Sequence, residues 1–159
     1  MKEPFLPFLT LDQIYVSPIV RKEDGSYECM SFDEMQRQPM PQTGSRLMDA
    51  VARTLAIRPC RRGSDVAEYL DVDVRKLSAA VSLNFTMNLD ELVVAYRVSL
   101  ACELARFTQL PLDEVAARCG IKSGSTLDHL LQSKLNVTFL DYRNQFQKVV
   151  NQKVVVQKS

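Results

Sequence analysis

The sequence predicts an all-α protein in which two small helical lobes are joined by one long central helix. Three observations predict this class. The central run from Leu89 to Phe107 is amphipathic and contains no glycine or proline. Similar helical patterns precede and follow it, at an offset of 49 to 50 residues. Residues 1–44 differ from both, because they hold five of the seven prolines and predict a short irregular or β-hairpin extension.

The central run has the features of a single rigid helix. Its apolar side chains recur every three or four residues, which places them on one helix face. Asn88 precedes the run and Glu91 follows three residues later, which is the arrangement of a capping box. Pro111 lies four residues beyond Phe107 and favours a helix end before it. At 1.5 Å per residue, this helix is expected to span about 28 Å.

The composition is typical of a globular chain that does not cross a membrane. Of its 159 residues, 46% are hydrophobic and 25% are charged. No apolar run approaches the roughly 20 residues that span a bilayer, and the first residues lack the apolar core of a signal peptide. The cysteines are far apart, which favours reduced thiols in a cytoplasm over a disulfide framework or a metal site. They are Cys29, Cys60, Cys102 and Cys119.

The formal net charge of +1 neither supports nor excludes a nucleic-acid partner, because the charge on one face matters more than the total. Charge is uneven along the chain. Residues 1–44 hold four Lys or Arg against seven Asp or Glu, whereas residues 45–148 hold 14 against 12. We therefore expect the acidic leading segment and the slightly basic body to have different roles.

Residues 1–44 are expected to form an extension. The segments from Ile14 to Val20 and from Tyr27 to Phe32 flank a turn-like sequence that contains Gly25, which indicates a short β-hairpin. A two-stranded hairpin is marginally stable alone. It must therefore pack on the helical body or on a second copy of itself, and the second alternative would give a homodimer. The stretch from Pro39 to Gly44 is expected to be a linker.

Three helices are predicted between Ser45 and Phe85. Ser64 is expected to cap the second helix and Asp73 the third, because both side chains accept hydrogen bonds from the free amides of a first turn. Residues 71–72 supply the turn between these two helices. The inward positions are predicted to be Leu47, Met48, Val51 and Leu55 in the first helix, Val66, Ala67 and Leu70 in the second, and Val74, Leu77, Val81 and Phe85 in the third.

The second lobe repeats this order after the central helix. Gly120 is expected to close the helix that begins near Asp113. Either Ser123 or Ser125 is expected to cap the next helix, and Thr138 a last one. The inward positions are predicted to be Leu127, Leu131 and Leu135 in the former and Tyr142, Phe146 and Val149 or Val150 in the latter, with Val154, Val155 and Val156 in a tail.

Corresponding positions of the two lobes carry residues of the same kind. Ala67 pairs with Ala116, and such a small residue allows two helices to approach closely. A tight turn and a second helix follow in each lobe, which is the helix-turn-helix pattern whose second helix enters the DNA major groove. Two such units on one rigid helix suit successive major grooves, about 34 Å apart. Further pairs are Leu77 with Leu127, Val81 with Leu131, Thr86 with Asn136, Asn88 with Thr138 and Leu92 with Tyr142.

Two stretches of the sequence carry a resemblance to a known family. Residues 97–116, Arg-Val-Ser-Leu-Ala-Cys-Glu-Leu-Ala-Arg-Phe-Thr-Gln-Leu-Pro-Leu-Asp-Glu-Val-Ala, are similar to the pattern Arg-Leu…Ala…Leu-Leu…Thr…(Ile/Val)-Ala. Residues 120–143 run in register with Gly-Phe…Phe…Phe-Lys…Gly…Thr-Pro…Tyr-Arg. Both patterns resemble the AraC/XylS-type transcription regulators. The resemblance covers Ser45 to Phe146. It implies a seven-helix DNA-binding domain at residues 45–150, a tail at residues 151–159, double-stranded DNA as the partner and no cofactor.

The sequence departs from the family pattern in the second helix of each helix-turn-helix unit, here called the reading helix, and in the turns that follow these helices. Ala79 and His129 stand where family members often carry an arginine that could reach a base or a phosphate. Thr86 and Asn136 replace turn glycines, and asparagine tolerates a left-handed backbone better than threonine does. The family's aromatic positions are Ile121, Leu127 and Leu131, and its Thr-Pro pair is Thr138-Phe139.

The candidate DNA-contacting residues are the outward polar positions of the two reading helices. Arg75 and Lys76 suit guanine or phosphate contacts, with ordinary surface cations as the alternative reading. Ser125 would contact a base or cap its helix, and Arg143 would contact the DNA backbone or form a salt bridge within the domain. Asp128 would oppose phosphate. The full candidate set is Arg75, Lys76, Ser78, Lys122, Ser125, Thr126, His129 and Lys134.

An enzyme is not expected, because the sequence contains no P-loop, no dinucleotide-binding glycine pattern and no nucleophile elbow. His129 is the only histidine, and no cysteine or carboxylate lies at ligand spacing from it, so no metal site is expected. Cys102 and Cys119 fall on predicted buried faces and are expected to be core residues.

Two functions remain open from the sequence. The leading hypothesis is a sequence-specific transcriptional regulator that reads two successive major grooves. The competing hypothesis is a protein-interaction module that kept the fold and lost DNA binding. The near-zero net charge, the missing arginines at Ala79 and His129, and the acidic residues Asp71, Asp73 and Asp128 favour the second.

Overall fold

The structure is a computed structural model that describes residues 8–147. The predicted tail, the inward positions at Val149 and Val150, and the first seven residues lie outside this range. Within it the only sheet is a two-stranded hairpin, so the all-α prediction is confirmed. The elements are α1 (Leu11–Ile14), β1 (Ile19–Arg21), β2 (Tyr27–Cys29), α2 (Phe32–Met35), α3 (Arg46–Ile57), α4 (Gly63–Leu70), α5 (Val74–Asn84), α6 (Leu89–Phe107), α7 (Leu112–Arg118) and α8 (Gly124–Leu135). A final helix, α9, covers residues 139–147.

The described residues divide into two compact units. The first unit contains the chain up to Val16 and Phe32–Tyr96, and the second contains Ser17–Ser31 and the chain from Arg97 onward. Helix α6 contributes its first eight residues to the first unit and the remainder to the second. The extension is likewise shared between the units. The boundaries at residues 44 and 150 stay a prediction.

The first unit is built around the apolar faces of α3, α4, α5 and the start of α6. Leu77 and Val81 of α5, and Phe85 directly after it, are buried as predicted. Leu47 is 36% exposed, because α3 buries the i, i+3, i+4, i+7 set that starts at Met48 instead. Val74 is 42% exposed, since it is the first residue of α5 and lies beyond the turns that pack. The core also includes Val51, Ala52, Leu55, Val66, Ala67, Leu89, Leu92, Val93 and Tyr96.

The start of α4 is capped by the side chains of Asp65 and Asp90 rather than by Ser64. The helix begins at Gly63, so Ser64 lies inside its first turn and the prediction of Ser64 as the cap is wrong. Asp65 Oδ2 accepts from the backbone amides of Arg61 and Arg62, at 2.8 and 3.1 Å. The Gly63 amide donates to Asp90 Oδ1, at the start of α6, over 2.8 Å. A carboxylate from another helix therefore satisfies one of the free amides.

Asp73 caps α5 as predicted, and its Oδ1 accepts from the amides of Arg75 and Lys76 at 2.7 and 3.2 Å. We expect Asp73→Ala to lower the free energy of unfolding by about 1 kcal/mol, the usual cost of losing such a cap. Denaturant titration monitored by circular dichroism would measure the change. Asp73→Asn keeps an acceptor and should stay near the wild-type value. An alanine variant as stable as the asparagine variant would contradict this role.

In the second unit, Ser123 rather than Ser125 caps α8. Ser123 Oγ accepts from the Thr126 amide at 3.2 Å, and Ser125 lies inside the first turn. Thr138 caps α9, because its Oγ1 accepts from the Asp141 amide at 3.1 Å. Leu127 and Leu131 are buried as predicted. Leu135 is 42% exposed, because α8 ends there and the backbone turns away at the next residue.

The predicted hairpin is present and packs within the second unit. Ile19 pairs with Cys29 and Arg21 with Tyr27 in antiparallel register. The Tyr27 ring lies 5.0 Å from the Phe107 ring, centroid to centroid. Arg118 Nη1 donates to the Met30 carbonyl oxygen, and Ser17 Oγ donates to Glu103 Oε2 at 2.7 Å. These contacts favour packing on the helical body and give no support to the homodimer alternative.

Candidate nucleic-acid interface

The two helix-turn-helix units share one turn geometry. In the first unit the Val72 amide donates to the Ala67 carbonyl oxygen at 3.0 Å, around Asp71 with a left-handed φ of 56°. In the second unit the Ile121 amide donates to the Ala116 carbonyl oxygen at 2.8 Å, around Gly120 with a φ of 74°. This pattern is the Schellman-type end of a helix. The turn after α4 and the turn after α7, which lie 49 residues apart in the sequence, therefore have the same hydrogen-bond pattern.

The turns that end the two reading helices differ from each other. Asn136 adopts a left-handed φ of 63° at the end of α8, as the family's glycine would. Thr86 does not, because the only non-glycine residues with positive φ in the described chain are Asp71 and Asn136. In the first unit, α5 instead ends at Asn84, and the next residue, Phe85, is extended with a φ of −121°. A β-branched residue is therefore accommodated without backbone strain.

The first unit presents cations at the start of its reading helix. Arg75 and Lys76 are both exposed, one and two residues after the first residue of α5. Ser78 is half-buried, and Ala79, which lies one turn after Arg75, is exposed. The structure thus brings Arg75, Lys76 and Ser78 together within one helical turn, while Ala79 leaves the next exposed position uncharged.

The second unit presents mainly neutral groups on α8. Ser125, Thr126 and His129 are exposed within its first two turns, and Lys122 is exposed just before the helix. The Thr126 hydroxyl lies 3.0 Å from Ser123 Oγ, so part of its hydrogen-bonding capacity is used locally. Lys134 is also exposed but lies at the far end of α8, about 12 Å along the helix from Thr126. It is separated from the other candidates of this unit.

Arg143 and Asp128 have structural roles. Arg143 is only 8% exposed, and its Nε donates to the Ala105 carbonyl oxygen at 3.1 Å. Its guanidinium carbon lies 4.5 Å from the centroid of the Phe139 ring, and burial lowers the pKa of this guanidinium. Neither predicted role of Arg143, a DNA contact or a salt bridge, matches these contacts. Asp128 Oδ1 accepts from the Phe139 amide at 2.8 Å, which caps α9.

The cysteines and the histidine do not form a metal-binding group in the described part of the chain. No group of three or more His, Cys, Asp or Glu side chains within residues 8–147 is placed to hold a metal ion. Cys102 and Cys119 are buried as predicted, and burial raises the pKa of the Cys119 thiol to about 12. That thiol is therefore protonated at neutral pH and is not a nucleophile.

An arginine-rich loop before α4 is a feature that the sequence reading left without a role. Arg58, Arg61 and Arg62 are exposed there, and the Arg58 guanidinium lies 4.5 Å from the centre of the Tyr69 ring. The loop and α4 border an open cleft of about 620 Å³. In the sequence, this cationic loop is marked by three arginines within five residues.

No helix in residues 8–147 is long and apolar enough to cross a membrane. No protein-family model and no characterised protein matches the chain by sequence.

Several solved structures are similar to this one. The DNA-binding domain of AdpA, described as a global transcriptional factor and solved with a target DNA, has a TM-score of 0.57 and 21% identity, covering 64% of this chain and 93% of that one. The C-terminal domain of AraT, a response regulator from Geobacillus stearothermophilus, has a TM-score of 0.53 and 25% identity, covering 64% and 88%. A DNA-binding transcriptional dual regulator from Escherichia coli K-12 has a TM-score of 0.56 and 15% identity, covering 67% and 97%.

These neighbours are regulators or domains of regulators, which agrees with the expectation that the chain is not an enzyme. The repeated turn geometry, the two helix pairs and the neighbours together confirm the resemblance stated from residues 97–116 and 120–143. The chain has the AraC-type double helix-turn-helix fold.

Proposed function

We propose that this chain is a sequence-specific DNA-binding regulator of transcription, and that α5 and α8 enter successive major grooves. The observation that carries the proposal is the repeated turn, after which each unit exposes polar side chains on its second helix. Helix α6 is 19 residues long, or about 28 Å, which is comparable with one turn of DNA. The similar AdpA domain was solved with its target DNA.

The exposed side chains suggest how each reading helix would contact DNA. Arg75 and Lys76 would bind guanine edges or phosphates. Ser125, Thr126 and His129 would form hydrogen bonds with base edges, and Lys122 would bind phosphate. We further propose that residues 45–150 are the DNA-binding domain and that the protein acts in the cytoplasm, where its thiols stay reduced.

Binding to mixed genomic DNA, measured between 50 and 200 mM KCl, tests the proposal. A regulator that contacts several phosphates should show a steep linear fall of log affinity with log salt. Arg75→Ala and Lys76→Ala should each weaken binding about tenfold if the contact is to a base edge, and less if it is to phosphate alone. Arg37→Ala removes an exposed cation beyond α2 and should leave affinity unchanged. Wild-type affinity in both reading-helix variants would remove α5 from the interface.

A protein-interaction module with the same fold is the second candidate. Ala79 leaves α5 with an uncharged exposed position, and Asp71 and Asp73 are exposed beside Arg75. Both features weaken the attraction to phosphate. The same titration separates the two functions, because a module that has lost DNA binding should show no salt-dependent affinity at micromolar protein concentration.

A further inference from the structure

Cationic side chains are used differently in the two lobes. Residues 45–88, the first lobe, contain seven Lys or Arg residues, and all seven side chains are exposed. They include Arg61 and Arg62 before α4 and Arg75 and Lys76 at the start of α5. Three carboxylates at these helix starts, Asp65, Asp73 and Asp90, accept from backbone amides.

Most cationic side chains of the second lobe form hydrogen bonds within the protein. Residues 97–147 contain six Lys or Arg residues, of which only Lys122 and Lys134 are exposed. Arg97 donates to the carbonyl oxygens of Cys119 and Gly120 at 3.0 and 3.1 Å, at the turn between α7 and α8. The other three contact Tyr142 (Arg106), Met30 (Arg118) and Ala105 (Arg143).

The equivalent positions of the repeat sharpen this contrast. In a helix-turn-helix unit the first helix crosses the DNA backbone and the second lies in the groove. Arg62, at the start of α4, corresponds to Pro111 at the start of α7, where Asp113 and Glu114 follow and are exposed. On the reading helices, Arg75 and Lys76 correspond to Ser125 and Thr126.

We infer that the first lobe supplies most of the phosphate contacts, from the starts of both α4 and α5, whereas the second lobe contributes mainly uncharged contacts. This inference rests on the proposed function. It adds Arg62 to the DNA-binding residues and makes the two lobes unequal. Affinity that is independent of sequence comes from the first lobe, because counterion release by phosphate contacts is sequence-independent.

The test uses the full chain and a fluorescent duplex of mixed sequence, with affinity measured at several KCl concentrations between 50 and 200 mM. Each phosphate contact contributes about 0.9 to the slope of log affinity against log salt. The triple variant Arg62→Gln, Arg75→Ser, Lys76→Thr should lose about 2–3 from that slope, which we expect to be more than half of the wild-type value. The double variant Lys122→Gln, Lys134→Gln should lose less than a third of it.

The double variant Arg21→Gln, Arg37→Gln is the matched control, because it removes two exposed cations outside both lobes and should leave the slope unchanged. Thermal unfolding should confirm that every variant is folded. A second-lobe variant that loses as much slope per removed cation as the first-lobe variant would overturn the inference while leaving the regulator function intact. A wild-type chain without any salt-dependent affinity would overturn both.

Discussion

Replacing Arg143 with alanine should lower the free energy of unfolding by about 3 kcal/mol, because a buried cation that binds the end of α6 is lost. Helix α6 ends at Phe107, so the Ala105 carbonyl oxygen has no partner within the helix. Arg143 Nε donates to this oxygen at 3.1 Å, and its Nη2 lies 3.5 Å from the Leu104 oxygen. A positive charge at a helix C-terminus adds a favourable interaction with the helix dipole.

Urea titration followed by circular dichroism would measure this loss. Arg143→Lys keeps the charge but not the planar group that stacks on Phe139, so it should recover only part of the stability. Lys134→Ala removes an exposed cation from the same unit and should change stability by less than about 0.5 kcal/mol. If Arg143→Ala resembled Lys134→Ala, its contacts with α6 would not contribute to stability.

Gly63→Ala is expected to destabilise the protein by about 2–3 kcal/mol, because an added methyl group has no space there. A Cβ at this position would lie 2.5 Å from Leu89 Cγ and 2.9 Å from Asp90 Oδ1. Leu89 is 1% exposed and packed in the core, so it cannot move aside easily. The displacement would also disturb the hydrogen bond from the Gly63 amide to Asp90.

Gly124 provides the matched comparison in the second unit. Its Cβ would lie 2.5 Å from Asp113 Oδ1 and 2.7 Å from Leu112 Cγ, but Asp113 is exposed and Leu112 half-buried. The Gly124 amide donates to Asp113 Oδ1 at 2.9 Å, as the Gly63 amide does to Asp90, so the two sites differ in the burial of the neighbouring leucine. Because Leu112 can shift towards solvent, Gly124→Ala should cost only about 1 kcal/mol. Ser64→Ala, at an exposed position in the same turn as Gly63, should be close to neutral. Equal losses at Gly63 and Gly124 would show that burial of the neighbouring side chain does not decide the cost.

Periodicity was sufficient to predict the long helices but not the two shortest, α1 and α2. Helices α3, α5, α6 and α8 have between 11 and 19 residues, so each carries a complete apolar stripe. Helices α1 and α2 have four residues each, too few for a period of 3.6 to be recognised. Tertiary contacts hold α1 instead, including the Tyr15 ring, 4.9 Å from the Tyr96 ring.

The features of the candidate interface that depend on contacts between residues close in sequence could be predicted from the sequence. A cap such as Asp73 acts on amides two and three residues away, so a sequence pattern is enough to recognise it. The Asp90 cap of Gly63 acts across 27 residues and leaves no such pattern. For the same reason the sequence could not separate exposed arginines such as Arg75 from Arg143, whose acceptors lie on a helix 38 residues earlier.

The hairpin has a consequence for how the chain folds as it is synthesised. Its contacts join residues that are far apart in sequence: Ser17 and Glu103 are separated by 86 positions, and Met30 and Arg118 by 88. When the hairpin leaves the ribosome, the surface that receives it has not yet been translated. The hairpin therefore stays without its packing partners until the second half of the polypeptide emerges. Contacts between residues so far apart in sequence slow folding.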